Sequence, residues 1–170
     1  NEQTLIIRKE GNLFKVRLDR ENEESLITAG GLPSLSNNRQ FLAFTRDNEA
    51  IVLDLKLGKE TKVTVDPPAR FPNRFSISDD GKTLAYVGTG DRRGVYVAHL
   101  QSGKAEFIAD EPGAEYWPQF SPDGSQLSFT AGDFDLAAGS NLNRIYVADI
   151  DKKTSRPVTP ENMHCRDASW

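Results

Sequence analysis

The chain has 170 residues and a net charge of −4, from 21 Lys and Arg against 25 Asp and Glu, which fits one domain with a real core. That acidic balance carries no nucleic-acid footprint, so no nucleic-acid partner is expected. One cysteine, Cys165, excludes an intramolecular disulfide framework and a multi-cysteine zinc site, and no apolar run or signal-peptide pattern suggests a membrane span or leader.

The chain opens on Asn1, not Met, which points to a processed chain or a part of something longer. TLIIRK (4–9) and LFKVRL (13–18) read as strands, followed by a polar turn, DREN, and a short closing strand, SLIT (25–28). LSNNRQFLAF (35–44) then forms a hairpin, with AIVLDL (50–55), the turn KLGK and the closing strand KVTV (62–65) after it. ISDDGKTLAY (77–86) repeats the hairpin, with VYVAHL (95–100), QSGK and EFIA (106–109). FSPDGSQLSF (120–129) repeats it again, with IYVADI (145–150), DKKT and PVTP (157–160). In the last hairpin Pro122 presets φ and Gly124 tolerates the positive φ that closes the turn. Every long strand alternates with a period of two and is rich in Val, Ile and Tyr, and no helical period is present.

Leu35, Ile77 and Phe120 recur at intervals of 42 and 43 residues, and Trp170 in RDASW stands at the next start, 50 residues on. A period of about 40 to 50 residues with four strands per unit predicts an all-β propeller of four-stranded antiparallel blades. The chain holds four repeat-equivalents, at 167–170 plus 1–28, 32–65, 71–109 and 116–159, in one domain spanning 1–170. Ser-Pro-Asp-Gly-x-x-Leu-x-Phe, then Ile-Tyr-Val-x-Asp, then Pro-Val-Thr resembles the β-propeller repeat of TolB and its relatives. The same repeat builds the propellers of prolyl-oligopeptidase-type and tricorn-type peptidases. The resemblance is weakest at LSNNRQ, where Arg39 replaces the turn glycine. It implies a fold and says little about function, because it describes how a blade is built.

Aligning Leu5 on Leu127 and Trp170 on Phe120 leaves RDASW (166–170) as the expected partner of TLIIRK, since an unpaired edge is a liability that propellers remove by closing. Three closures stay open at this point: a four-bladed ring, a homodimer exchanging residues 166–170 to give eight blades, or part of a larger ring.

Catalytic chemistry finds little support, although an enzymatic role stays undecided. No Gly-x-Ser-x-Gly elbow is present, His99 lies in a strand, and His164 beside Cys165 has no third group. Asp133 and Asp135 lack the further carboxylates and glycine of a calcium loop, so no metal is expected. GTGDRRG (88–94) joins two strands and opens no helix, so it does not read as a phosphate loop, and no cofactor is expected.

What remains is recognition. The second-to-third and fourth-to-first connections share one face of a propeller, which collects Arg70, Arg74, Arg92, Arg93, Tyr116, Trp117, His164 and Arg166. Arg, Tyr and Trp dominate binding hot spots. Trp117 also fits a wedge between blades. Arg92 and Arg93 read as exposed, so changing them is expected to cost folding no more than about 0.5 kcal/mol. The sequence thus reads as a non-catalytic scaffold binding a protein or peptide through this face, in the periplasm or outside the cell as the resemblance implies. The alternative is a substrate-gating propeller of a peptidase or carbohydrate-active enzyme with its catalytic residues elsewhere.

Overall fold

The computed structural model describes residues 4–17, 23–27, 31–69, 74–89, 91–132, 134–135, 140–141, 143–161, 163–166 and 168–170. Among the described residues every regular element is a strand. Blade 1 comprises β1 (Thr4–Lys9), β2 (Asn12–Arg17) and β3 (Glu23–Ile27); blade 2 comprises β4 (Ser34–Leu35), β5 (Phe41–Arg46), β6 (Glu49–Asp54) and β7 (Lys59–Val63). Blade 3 comprises β8 (Ser76–Ile77), β9 (Thr83–Thr89), β10 (Arg93–His99) and β11 (Ala105–Ala109). Blade 4 comprises β12 (Ala114–Phe120), β13 (Gln126–Gly132), β16 (Arg144–Asp149) and β17 (Thr154–Pro157), with the small hairpin β14 (Phe134–Asp135) and β15 (Ser140–Asn141) between its second and third strands. All neighbours within a blade are antiparallel, as the propeller reading requires.

The hairpin that defines the repeat has one hydrogen-bond design used three times. Ser78 Oγ donates to Asp80 Oδ1 at 2.6 Å and accepts from the Thr83 amide at 3.0 Å. Ser121 does the same with Asp123 and Gln126, and Ser36 with Asn38 and Phe41. The short polar side chain thereby replaces the ladder inside the turn, and the serine hydroxyls hold the Asp80 and Asp123 carboxyls below their usual range. The residue that closes each turn is left-handed: Gly81 at φ 69°, Gly124 at 73° and Arg39 at 62°. Arg39 therefore keeps the turn without a glycine, at a steric cost of about 1 kcal/mol.

Blades stack through alternate side chains, because a strand sends successive residues to opposite faces. Leu42, Phe44, Ile51 and Leu53 of blade 2 meet Leu13 of blade 1. Leu84, Tyr86, Tyr96 and Ala98 of blade 3 meet Ala43, Ala50 and Val52 of blade 2. Leu127, Phe129, Tyr146 and Ala148 of blade 4 meet Ala85, Val95 and Val97 of blade 3. The joints of blade 2 with blade 3 and of blade 3 with blade 4 thus set larger residues, facing the preceding blade, against small or β-branched ones facing the next.

Two expectations need correction. The closing strands start earlier than the sequence suggests, at Glu23, Lys59 and Thr154, and before Lys59 and Thr154 the reason is a tight turn. Asp54 Oδ1 accepts from the amides of Lys56 and Leu57 at 2.9 and 3.0 Å, so the ladder resumes at once with Asp54 opposite Lys59. Asp149 likewise accepts from Lys152 and stands opposite Thr154. The second correction concerns the ends. Residues 166 and 168–170 form no strand, β1 pairs with β2 alone among the described residues, and Trp170 Nε1 donates instead to the Gln119 carbonyl of β12 at 3.1 Å. The reason is distance along the arc: among the described residues the hydrophobic clusters join blades 1 and 2, 2 and 3, and 3 and 4, and none joins blade 4 to blade 1.

Candidate binding face

β12 is the first strand of blade 4, and its register shifts between Tyr116 and Gln119. Trp117 sits in that bulge with φ 53°, and a bulge of this kind re-aims a side chain out of the regular pleat. The half-buried Trp117 ring is packed against Tyr116, with centroids 5.8 Å apart and planes at 47°. Arg74, on the connection into β8, places its guanidinium 5.8 Å from the Trp117 ring centroid, within cation–π range. These three residues come from two different blades and form one cluster.

Arg74 also lines a pocket of about 210 Å³ where the first strands of blades 2, 3 and 4 converge, together with Ser34, Asn37, Ser76 and Gln119. Hydrogen bonds tie the wall together from blade to blade. Asn37 Nδ2 donates to the Phe120 carbonyl at 3.2 Å, and the Phe120 amide donates to Ser76 Oγ at 3.1 Å. A cation, amides and hydroxyls at a common mouth suit an acidic or hydrogen-bonding group presented by a partner.

The two arginines of the loop before β10 point to different joints, Arg92 to the face of blade 3 that meets blade 2 and Arg93 to blade 4. Arg92 lies 3.4 Å from the Phe107 ring centroid, and its carbonyl accepts from Tyr96 Oη at 2.6 Å. Arg93 Nε lies 3.4 Å from Glu115 Oε2. The Glu115 side chain is fully buried, and its other oxygen accepts from the Glu111 amide at 3.3 Å. Burial pushes the Glu115 carboxyl above its ordinary value, with backbone amides and Arg93 opposing the shift. The sequence reading passed over Glu115 because 110–116 reads as a connection. The strand in fact starts at Ala114 and stands Glu115 opposite Ala131. The two arginines of this loop are therefore engaged in contacts within the protein.

His164 and Arg166 are exposed on the segment after β17, which is tied back by the Cys165 amide to the Asn143 carbonyl at 2.9 Å. Arg70 and Asp133 lie outside the described residues, as does the side chain of Asp135. Among the described residues no group of three His, Cys, Asp or Glu could hold a metal ion, and no helix is long and apolar enough to cross a membrane. His99 pairs loosely with Glu106, with Nε2 3.7 Å from Oε1.

No protein-family model matches the chain. Over 86 residues it is 30% identical to the Tol-Pal system protein TolB of Francisella tularensis subsp. mediasiatica and of subsp. tularensis, covering 49% of this chain and 19% and 18% of those proteins. The chain thus spans less than a fifth of the length of these curated relatives. Among solved structures, TolB from Acinetobacter baumannii superposes with a TM-score of 0.68 at 17% identity, covering 93% of this chain and 41% of that one. A TolB candidate from Agrobacterium tumefaciens gives a TM-score of 0.71 at 19% identity, with coverages of 93% and 58%. The tricorn protease gives 0.53 at 16% identity, with coverages of 98% and 19%. With the Ser-x-Asx hairpins and the four-stranded antiparallel sheets, these likenesses show that the chain is similar to TolB-like β-propellers and is built of propeller blades.

Proposed function

We propose that this propeller segment is a non-catalytic module that binds a protein or peptide on the face bearing Arg74, Tyr116 and Trp117. The observation that carries this reading is the Arg74–Trp117 pair, whose arginine also lines the pocket between first strands. A cation held over an indole beside open hydrogen-bonding groups is the composition of a hot spot. The partner presents carboxylates or a polar chain end to Arg74 and an apolar or aromatic group to Trp117. His164 and Arg166 lie on the same face by connectivity and form its rim; Arg92 and Arg93 contribute surface there, and Arg93 also braces the blade 3–4 joint. The curated relatives carry the name Tol-Pal system protein TolB, which supports a protein partner and a place in the bacterial envelope, on its periplasmic side.

Selection of a random displayed-peptide library on the 170-residue chain tests this. Selected peptides are expected to be acidic and to lose about 10- to 100-fold in affinity with Arg74→Glu or Trp117→Ala, as for a hot spot of roughly 1 to 3 kcal/mol. Lys59→Glu, on the opposite face, is expected to leave affinity unchanged. Peptides that respond to Lys59→Glu and ignore Arg74→Glu would put the working face on the other side.

A further inference from the structure

A second pocket, of about 220 Å³, lies at the joint between blades 2 and 3, bounded by the β5–β6 turn, the end of β7 and the connection into blade 3. Its buried members, Ala50, Val63, Ala69 and Phe75, form an apolar floor. The exposed members, Asn48, Lys62 and Thr64, stand at the rim, where Lys62 pairs with Glu49. The lining therefore carries no net charge. Phe75 is 0% exposed and its ring is tilted against Tyr86, with centroids 6.4 Å apart, so the floor is anchored in the core of the joint.

The next joint is built differently at this place. Aligning AIVLDL on VYVAHL sets Asn48 on Arg93. Arg93 reaches across to Glu115 at 3.4 Å, and the Glu115 side chain is fully buried. Asn48 is shorter, neutral and exposed, and the space beside it stays open as the pocket. The pocket also adjoins the Arg74 site. Arg74 and Ser76 line the pocket between first strands and Phe75 lines this one, so a single stretch of backbone separates the two. The β5–β6 turn and the blade 2–3 connection belong by connectivity to the same face as Arg74.

We propose that this pocket takes one apolar side chain, of leucine to phenylalanine size, from the polypeptide that binds this face; the inference rests on the face being a polypeptide-binding one. Volume and lining set the class. An apolar cavity of about 150 Å³ accepts benzene, so a pocket of about 220 Å³ admits a leucine or phenylalanine side chain. A lining without net charge gives an ion no countercharge, whereas Arg74 does. An acidic group and an apolar one on the same ligand therefore sort to the two sides of residues 74–76. The polar rim favours a polypeptide over a free apolar solute, because Asn48, Lys62 and Thr64 offer hydrogen bonds to a backbone that enters with the side chain.

Peptides selected from a random displayed library on the 170-residue chain provide the test. They are expected to carry an apolar residue at a fixed spacing from an acidic one, and replacing it by alanine is expected to weaken binding about 10- to 100-fold. Thr64→Trp fills the pocket from an exposed position. It is expected to weaken the parent peptide about 10-fold or more and to make the alanine replacement nearly neutral, with unchanged circular dichroism. Thr64→Ser is expected to bind as the wild type does. Peptides that respond to Arg74→Glu but ignore both Thr64→Trp and the loss of their apolar residue overturn the pocket and leave the Arg74 reading standing. An alanine replacement that costs as much on Thr64→Trp as on the wild type also overturns the pocket. Peptides that respond to Thr64→Trp and ignore Arg74→Glu bear out the pocket and overturn the Arg74 reading, and peptides that ignore both overturn both.

Discussion

Leu84 in blade 3 and Leu5 in blade 1 hold the same place in the repeat, yet Leu84 is 0% exposed and Leu5 50%. Around Leu84 the joint carries an aromatic column, with Tyr86 stacked on Tyr96 at 5.7 Å, Tyr96 edge-on to Phe107 at 5.4 Å, and Phe75 tilted against Tyr86 at 6.4 Å. Tyr86 Oη donates to the Pro67 carbonyl at 2.8 Å, and burial pushes its phenol well up. Leu5 has the alternation without the neighbour. In a stacked-blade architecture the pattern decides which face is apolar, and the adjoining blade decides whether that face is dry.

The largest test of this contrast is truncation at both places. Leu84→Ala is expected to cost about 2 to 5 kcal/mol through lost contacts and a cavity. Leu5→Ala is expected to cost within about 0.5 kcal/mol in single chains, both read from urea melts at high dilution. Equal losses would show that blade 1 is covered as fully as blade 3.

The next test is charge reversal at the blade 3–4 joint. Arg93→Glu removes the cation beside buried Glu115 and adds a like charge, so a loss of about 1 to 2 kcal/mol is expected. Screening of a guanidinium that is 44% exposed holds it below the loss for a fully buried pair. This replaces the expectation that the loop tolerates such changes freely. Lys59→Glu, in an exposed turn, is the control and should stay within about 0.5 kcal/mol. Equal effects of the two would mean that the Arg93–Glu115 contact contributes nothing.

A smaller effect is expected from pH. Burial raises the Glu115 carboxyl above its ordinary 4.5 in the folded chain, so the folded state keeps this proton longer than the unfolded state does. Its contribution is complete below pH 4.5 and is lost as pH rises through the folded value. Glu115→Gln has no proton to lose, so its melting temperature should gain on the wild type from pH 4.5 to neutrality. A constant difference across that window would show that Glu115 is not the titrating group.

Arg39→Gly should give the smallest change, a gain of about 0.5 kcal/mol by relieving the left-handed φ of 62°. Gly81→Ala should go the other way, since an added Cβ would lie 2.5 Å from the Phe41 ring. A loss on Arg39→Gly would show that the arginine side chain, not its backbone, matters in blade 2.

Much of the fold was legible because hairpin chemistry is local. Ser121, Asp123 and Gly124 close their turn with bonds spanning a few residues, so a short string carries the whole motif. The candidate site was legible only in composition. Arg74 and Trp117 are 43 positions apart in the chain and meet because blades 3 and 4 adjoin. Nothing in the string distinguishes Arg74 from Arg92, which lies over Phe107 instead. Glu115 escaped notice because a strand beginning at Ala114 cannot be told from a loop by one acidic residue.

By itself the sequence determined the period, the four strands of blades 2 to 4, the side of each strand that is apolar and the left-handed glycine that closes the last hairpin. All of these follow from backbone sterics and side-chain alternation within about ten residues. Only the tertiary structure decided that Trp170 binds Gln119 instead of pairing with β1, that Arg93 guards a buried carboxylate, and that the face around Leu5 stands open. Those outcomes depend on which blades adjoin, because each involves residues far apart in the chain that only packing brings together or leaves apart.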